Sequence, residues 1–204
     1  MPDFTLEEAA GGTIAGIDEA GRGPWAGPVV AGAVILDRRT LCADLRDGLD
    51  DSKLLSRPRR AGLYEILCRT ARIGIGRAEV SEIDSVNILG ATMLAMARSL
   101  SALGVIPDLA LVDGNRKPEL PCPVQCVVKG DRRSLSIAAA SIVAKVSRDG
   151  IMAELALAFP GYGWERNAGY GTPEHRAALE RLGVTPHHRR SFAPIHKILR
   201  REAG

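Results

Sequence analysis

Two adjacent carboxylates, Asp18 and Glu19, close the short apolar run Ile14-Ala-Gly-Ile17, and Gly21-Arg22-Gly23 follows at once. Carboxylates at a strand end supply hard oxygen donors for divalent cations. Glycines on both sides of an arginine let backbone approach a polyanion closely, beside a guanidinium that forks onto phosphate. A metal site and a phosphate or sugar site in one segment imply phosphodiester chemistry. Asp113 closes a second apolar run, Leu109 to Val112, and Asp131 follows a third, Val124 to Val128. A tight carboxylate cluster repels itself at neutral pH unless cations neutralise it. Oxygen-only ligation suits Mg²⁺ or Mn²⁺ better than zinc or copper. Two such ions about 3.5–4 Å apart activate a water and stabilise the leaving oxygen of an in-line displacement.

The elements that must hold these groups are legible in outline. Thr13 to Ile17 and Pro28 to Leu36 suit two antiparallel strands joined through a glycine-rich turn, and the alternating run 73–80 suits a third. Ser56 caps a helix whose apolar face is Leu63, Ile66 and Leu67. A longer helix is expected from about Val86 to Leu103, ended by Gly104. The longest runs from about Leu135 to Phe159, stopped by Pro160-Gly161, and its Ala138–Ser141 patch is small enough to lie close on a sheet. Three strands and a helix, then alternating strand and helix, predict an α/β fold: a mixed five-stranded sheet with helices on both faces. Beyond residue 160, Pro173, Gly183 and Pro186 punctuate short helices, giving residues 1–160 as the main domain and 161–204 as a helical extension packed on it.

A chain of 204 residues, 46% hydrophobic, buries a full core. Its net charge of +3 is too small to establish a nucleic-acid partner alone. Its basic residues, however, gather at Arg116-Lys117, Lys129 to Arg133, His187 to Arg190 and Arg200-Arg201, which suits a phosphate footprint. The N-terminal segment is acidic, unlike a secretory signal, and no apolar run approaches the ~18 residues of a spanning helix. A cytoplasmic protein with reduced, mostly buried thiols is expected; Cys122 and Cys126 lack a second ligand pair for zinc.

The segment Ile14 to Pro24 resembles the opening motif of the type 2 ribonucleases H, most closely bacterial ribonuclease HII. Asp51-Ser-Lys-Leu-Leu55, Asn87 to Thr92, Val112 to Asn115, Lys129-Gly-Asp131, Ser136 to Val146, Gly169-Tyr-Gly-Thr172 and His188 to Pro194 resemble that family's later blocks, in order. The resemblance implies a ribonuclease H-like fold in which the strands ending at Asp18 and Asp113 are neighbours, so that these two carboxylates meet. Strand alternation forbids Asp18 and Glu19 from pointing at one metal within a regular strand, so Glu19 is expected where the strand breaks into the Gly21 turn. It implies Asp18, Glu19, Asp113 and Asp131 as catalytic metal ligands for Mn²⁺ or Mg²⁺, and Gly21, Arg22, Gly23, Lys53 and Tyr170 as substrate-binding residues. The implied activity is hydrolysis of the RNA strand of an RNA–DNA hybrid and cutting 5′ of a single ribonucleotide in duplex DNA. The cut leaves 3′-hydroxyl and 5′-phosphate ends, as in ribonucleotide excision repair, and a monomer is expected.

Lys145 and Arg148 either line the same groove or form the polar face of the long helix. His175, His187, His188 and His196 default to surface or capping positions. Asp84 and Asp149 carry no site role, and Arg166-Asn167-Ala168 is less basic than the family's stretch there. A ribonuclease HIII-like nuclease is the alternative within the superfamily; the glycine-flanked arginine and the short N-terminal segment weigh against it. An inactive hybrid-binding module is disfavoured because anions in a nucleic-acid groove oppose binding unless they hold metal. An actin-like ATPase would need two lobes and phosphate-binding hairpins.

Overall fold

The computed structural model describes the backbone of residues 1–202 and the side chains of residues 1–200. The side chain of Arg201, in the last basic pair, lies outside the described residues. In chain order the elements are Thr5–Ala10 (α1), Ile14–Ala20 (β1), Val29–Ile35 (β2), Ala43–Arg46 (α2), Arg57–Thr70 (α3), Arg72–Ala78 (β3), Val80–Ala102 (α4), Leu109–Asp113 (β4) and Val124–Val127 (β5). A 3-10 turn at Gly130–Arg132 leads into Leu135–Ala158 (α5), then Trp164–Asn167 (α6), Pro173–Leu182 (α7) and Ala193–Glu202 (α8).

The five strands form one mixed sheet in the order β3-β2-β1-β4-β5. β1 and β2, and β2 and β3, run antiparallel; β1 and β4, and β4 and β5, run parallel. The central strands are apolar on both faces because both are covered. On one face Ala15, Ile17, Ala31, Ala33, Ala110 and Val112 pack with Met96 and Leu100 of α4. On the other, Val34 packs with Leu63 and Leu67 of α3 and with Ala138, Ala139, Ala140 and Val143 of α5. The alanine patch works as expected from its size. A Cβ at Gly32 of β2 would stand 2.6 Å from the Ala140 carbonyl oxygen, and one at Gly16 of β1 2.1 Å from the backbone carbon of Ser136, so α5 lies almost directly on the sheet. Ser134 starts α5 by accepting the Ile137 N–H at 3.1 Å while donating to Glu7 at 2.6 Å. Such a cap is worth about 1 kcal/mol.

α4 begins six residues before its expected start. Glu79 and Glu82 form a reciprocal capping box at its N-terminus. The helix is then interrupted at Asn87, whose φ of 60° is left-handed and whose Oδ1 accepts the N–H groups of Leu89 and Gly90. The expected helix corresponds to the second half, which Asn87 caps anew. Past residue 160 the helices close on a core of their own: Tyr162, Trp164, Ala178, Leu179 and Ile195 against Met152 of α5 and Ala26. The four thiols are free, but Cys42 and Cys68 are exposed and Cys122 and Cys126 half-buried, contrary to the expectation of burial. Cys42 and Cys68 lie near helix ends that face solvent, whereas Cys122 packs against the edge of the core beside Val124 without being covered. No helix among the described residues is long and apolar enough to cross a membrane.

Candidate active site

β1 and β4 pair in parallel up to Ile17↔Val112, so the next residues on the two strands are Asp18 and Asp113. Alternation puts both on the α5 face, because Ile17 and Val112 pack toward α4. Asp113 Oδ1 accepts the Gly130 N–H at 2.7 Å, which ties β4 to the turn after β5. That turn starts with Lys129 in the left-handed region (φ 55°) and carries buried Asp131. Glu19 departs from its expected position. It lies inside β1, which continues to Ala20 because its ladder to β2 (Glu19↔Ala31, Ala20↔Val30) outlasts its ladder to β4. Glu19 therefore faces away from Asp18, and its Oε1 meets Arg22 at 3.2 Å.

The electrostatics are those of crowded anions. Burial holds the Asp18 carboxyl well above the usual range, reinforced by Glu19 and Asp113. Glu19 is also raised by burial, against the pull of Arg22. Asp131 is raised by burial, then by Asp113 and Asp51. No group of three or more Asp, Glu, His or Cys side chains among the described residues is gathered tightly enough to close round one ion as it stands. The donor set nevertheless fits a hard divalent cation. It is all carboxylate, its members feel one another's charge, and one oxygen each on Asp18, Glu19 and Asp113 is already fixed by a neighbouring donor, leaving the other to bind.

A groove of about 730 Å³ runs past this cluster, lined by Asp18, Glu19, Gly21, Arg22, Gly23, Lys53, Lys145, Arg148 and Tyr170 among others. A smaller hollow of about 210 Å³ on its flank brings Glu19 and Arg22 to Asp113. Asp131 lines neither and joins the site through Asp113. Lys53 is exposed; its N–H is held by Asp51 Oδ1 at 2.9 Å, and Asp51 Oδ2 is held by Arg132 at 3.0 Å. Tyr170 is 46% exposed at the rim. Asn167 shapes the turn that presents it, accepting from the Gly169 N–H at 2.8 Å and donating to the Tyr162 carbonyl at 2.8 Å. Arg166 pairs with Glu165 and Glu174, so that segment is spent within the fold.

Several polar residues are not where the sequence suggested. His175 and His188 are fully buried among Tyr162 and Trp164 rather than on the surface, and their environment holds both below the usual imidazole range, His188 at about 3. Arg189 is likewise buried, so the His187–Arg190 patch is not a continuous phosphate footprint. Asp84 is not idle, because its carboxylate accepts from the N–H groups of Arg190 and Ser191 and so ties the tail to α4. Lys145 pairs with Asp149 at 2.7 Å, while Arg148 lines the groove yet is 1% exposed. Lys145 and Asp149 stand at i,i+4 helical spacing, which a sequence can show, but Asp84, Arg148 and Arg189 take their roles from partners more than a hundred positions away, for which no spacing signal exists.

Comparison with known proteins identifies the family and the fold. A family model described as Ribonuclease HII matches residues 15–195. The ribonuclease HII of Rhodospirillum rubrum is 62% identical over 205 residues, covering 100% of this chain and 94% of its own length. That of Paramagnetospirillum magneticum is 64% identical over 199 residues, covering 98% and 99%. The crystal structure of ribonuclease H2 from Pyrococcus horikoshii OT3 superposes with a TM-score of 0.78 at 28% identity, over 93% of this chain and 98% of that one. The chain belongs to the ribonuclease HII family.

Proposed function

We propose that this protein is a divalent-metal-dependent endoribonuclease that hydrolyses the RNA strand of RNA–DNA hybrids and cuts 5′ of single ribonucleotides in duplex DNA, leaving 3′-hydroxyl and 5′-phosphate ends. The observation that carries this reading is the juxtaposition of Asp18 and Asp113 on the two central strands, beneath a groove rimmed by Gly21–Gly23, Lys53 and Tyr170, in a chain of this family.

Asp18, Glu19, Asp113 and Asp131 would hold Mg²⁺ or Mn²⁺. Bound there, such ions supply an activated water and charge stabilisation of the leaving oxygen. The chain's own residues do the rest. Asp18 and Asp113 lie on the two central strands, each with one carboxylate oxygen held by a backbone N–H, so their free oxygens are oriented before substrate arrives. Arg22 holds Glu19 by one oxygen and keeps a half-exposed guanidinium for a phosphate. Lys53, fixed at its backbone by Asp51, places a flexible cation over the groove. Tyr170 offers a ring face to a sugar or base at the rim. The extension that begins at residue 161 packs through its described residues on residues 1–160 and delivers Tyr170. We place the protein in the cytoplasm as a monomer.

Incubation with Mg²⁺ or Mn²⁺ and a uniform RNA–DNA hybrid tests the reading. Cleavage of the RNA strand, with product 3′ ends that a polymerase extends, supports it. Equal cleavage of an RNA–RNA or DNA–DNA duplex, or none of the hybrid, contradicts it.

A further inference from the structure

Arg148 of α5 and Arg189 of the tail are 1% and 0% exposed, and every hydrogen bond they make goes to a backbone carbonyl. Arg148 donates to the carbonyls of Pro28, Ala26 and Ala168, each at 3.0 Å. Arg189 donates to those of Gly21 (2.5 Å), Arg22 (2.9 Å), Gly27 (2.9 Å) and Pro28 (3.2 Å). Burying a cation without an anion is costly, and an apolar side chain of similar volume would fill the space more cheaply. Instead, the two guanidiniums take carbonyls of the loop between β1 and β2, Ala168 being the one acceptor outside it.

That has a geometric consequence at the groove. In a trans peptide the C=O and the following N–H point in opposite directions. Drawing the Gly21 carbonyl inward to Arg189 turns the Arg22 N–H outward, and drawing in the Arg22 carbonyl turns out the Gly23 N–H. Neither amide has an acceptor among the described residues, although both belong to the segment that lines the groove. A backbone amide left in this way needs water or a ligand oxygen. Pro24, next in the chain, has no N–H to compete.

We infer that Arg189, backed by Arg148, is a positioning residue that aims the Arg22 and Gly23 amides at the ribose hydroxyl of the substrate, so that the buried tail controls recognition of RNA over DNA. The inference rests on the hybrid-cleaving reading above. Its place is held from behind: the Arg189 N–H donates to the Trp25 carbonyl at 2.8 Å, and Phe192 lies 5.1 Å from the guanidinium carbon.

Arg189→Lys tests this, because an ammonium keeps the charge but not the fork that reaches both carbonyls. Binding to an RNA–DNA hybrid and to a DNA duplex of the same sequence is compared with wild type, together with kcat and KM on the hybrid. The expected result is a preference for hybrid over DNA reduced at least tenfold, with DNA binding changed less than twofold. Equal weakening on both duplexes, or an unchanged preference, overturns the assignment. A second measurement does not depend on the variant folding: amide exchange at Arg22 and Gly23 in the wild-type protein, in EDTA. Hybrid should slow exchange of both amides at least tenfold more than the DNA duplex does; the same protection by both, or none, overturns the inference. Wild-type protein that fails to cleave hybrid sinks the functional reading instead, so the two failures are distinguishable.

Discussion

His175 and His188 meet Nε2 to Nε2 at 3.0 Å, with neither imidazole exposed. The neighbours decide the tautomers. Thr185 donates its N–H to His188 Nδ1 at 2.9 Å, so the proton of neutral His188 sits on Nε2 and goes to His175. His175 Nε2 also accepts the Trp164 indole N–H at 3.1 Å. Its own proton is then on Nδ1, donated to the carbonyl of Tyr170 at 2.9 Å. Only the doubly neutral pair makes all these bonds, and the chain ends at the backbone of the rim tyrosine.

The first prediction follows from His188, which burial and the neighbouring His175 hold at about 3. The unfolded chain binds this proton near pH 6.5 and the folded one does not. The contribution is therefore complete above about pH 6.5 and is lost as pH falls toward 3. Between pH 7.5 and 5.5 the loss is about 1.4 kcal/mol. Asp18, raised in the fold, acts in the opposite sense, so the readout is the difference between wild type and His188→Gln in urea unfolding at the two pH values. The variant should lack this part of the pH dependence; parallel curves would show that His188 does not carry it.

Asp18→Asn should make the protein more stable in EDTA while abolishing cleavage. Asp18 is a buried carboxylate raised by burial and by two like charges, and an amide of the same shape removes that penalty. A gain of about 1 kcal/mol, or roughly 2–4 °C in Tm, is expected for a chain this long. Added Mg²⁺ or Mn²⁺ should raise the Tm of wild type more than that of the variant. A lower Tm in EDTA, or retained cleavage, would contradict the role given to Asp18.

Gly21 and Gly23 look alike in sequence and should behave differently. Gly21 has φ 98°, and a Cβ there would stand 2.0 Å from Arg148 Nε, so Gly21→Ala should fail to fold or lose several kcal/mol. At Gly23 the same atom meets only the Tyr170 ring, at 3.4 Å, so Gly23→Ala should fold normally. Its methyl group enters the groove, and hybrid cleavage should fall tenfold or more. Thermal unfolding and initial rates check both; normal cleavage by folded Gly23→Ala would leave that position without a recognition role.

The difference between these glycines shows where sequence reading ends. The strands were legible because apolar runs end in polar or turn residues; Asp113 closes β4 as read, whereas Asp18 ends the apolar run of β1 but the strand itself continues to Ala20. Glu19 was misplaced because the end of β1 is set by its partner β2, whose register no local pattern reveals. Asp51 and Arg132 are 81 positions apart, and Gly21 and Arg189 are 168 apart, so their pairing exists only once the sheet and tail have closed. His175, His188 and Arg189 are polar residues in a charged tail, where exposure is the ordinary expectation. Their burial comes from Trp164, Tyr162 and the β1–β2 loop closing over them.

Tyr170 tests junction recognition. Its ring is exposed at the rim beside Gly23, while its backbone is held by His175 and Asn167. Loss of a stacking ring costs about 1–3 kcal/mol. Tyr170→Ala should therefore lose tenfold or more on a duplex with one embedded ribonucleotide, and less on uniform hybrid. Tyr170→Phe should lose less than the alanine variant. Equal losses on the two substrates would make Tyr170 a general binding residue.

The most direct measurement uses a DNA duplex that carries a single ribonucleotide, labelled at both ends of that strand, with wild-type protein and Mg²⁺ or Mn²⁺. The expected product is one nick immediately 5′ of the ribonucleotide, with a 3′-hydroxyl that a polymerase extends and a 5′-phosphate on the ribonucleotide. Asp18→Asn and Asp113→Asn should bind the same duplex but leave it uncut. A nick on the 3′ side, a 2′,3′-cyclic phosphate end, or wild-type cleavage that persists in EDTA would contradict metal-assisted hydrolysis by this carboxylate cluster.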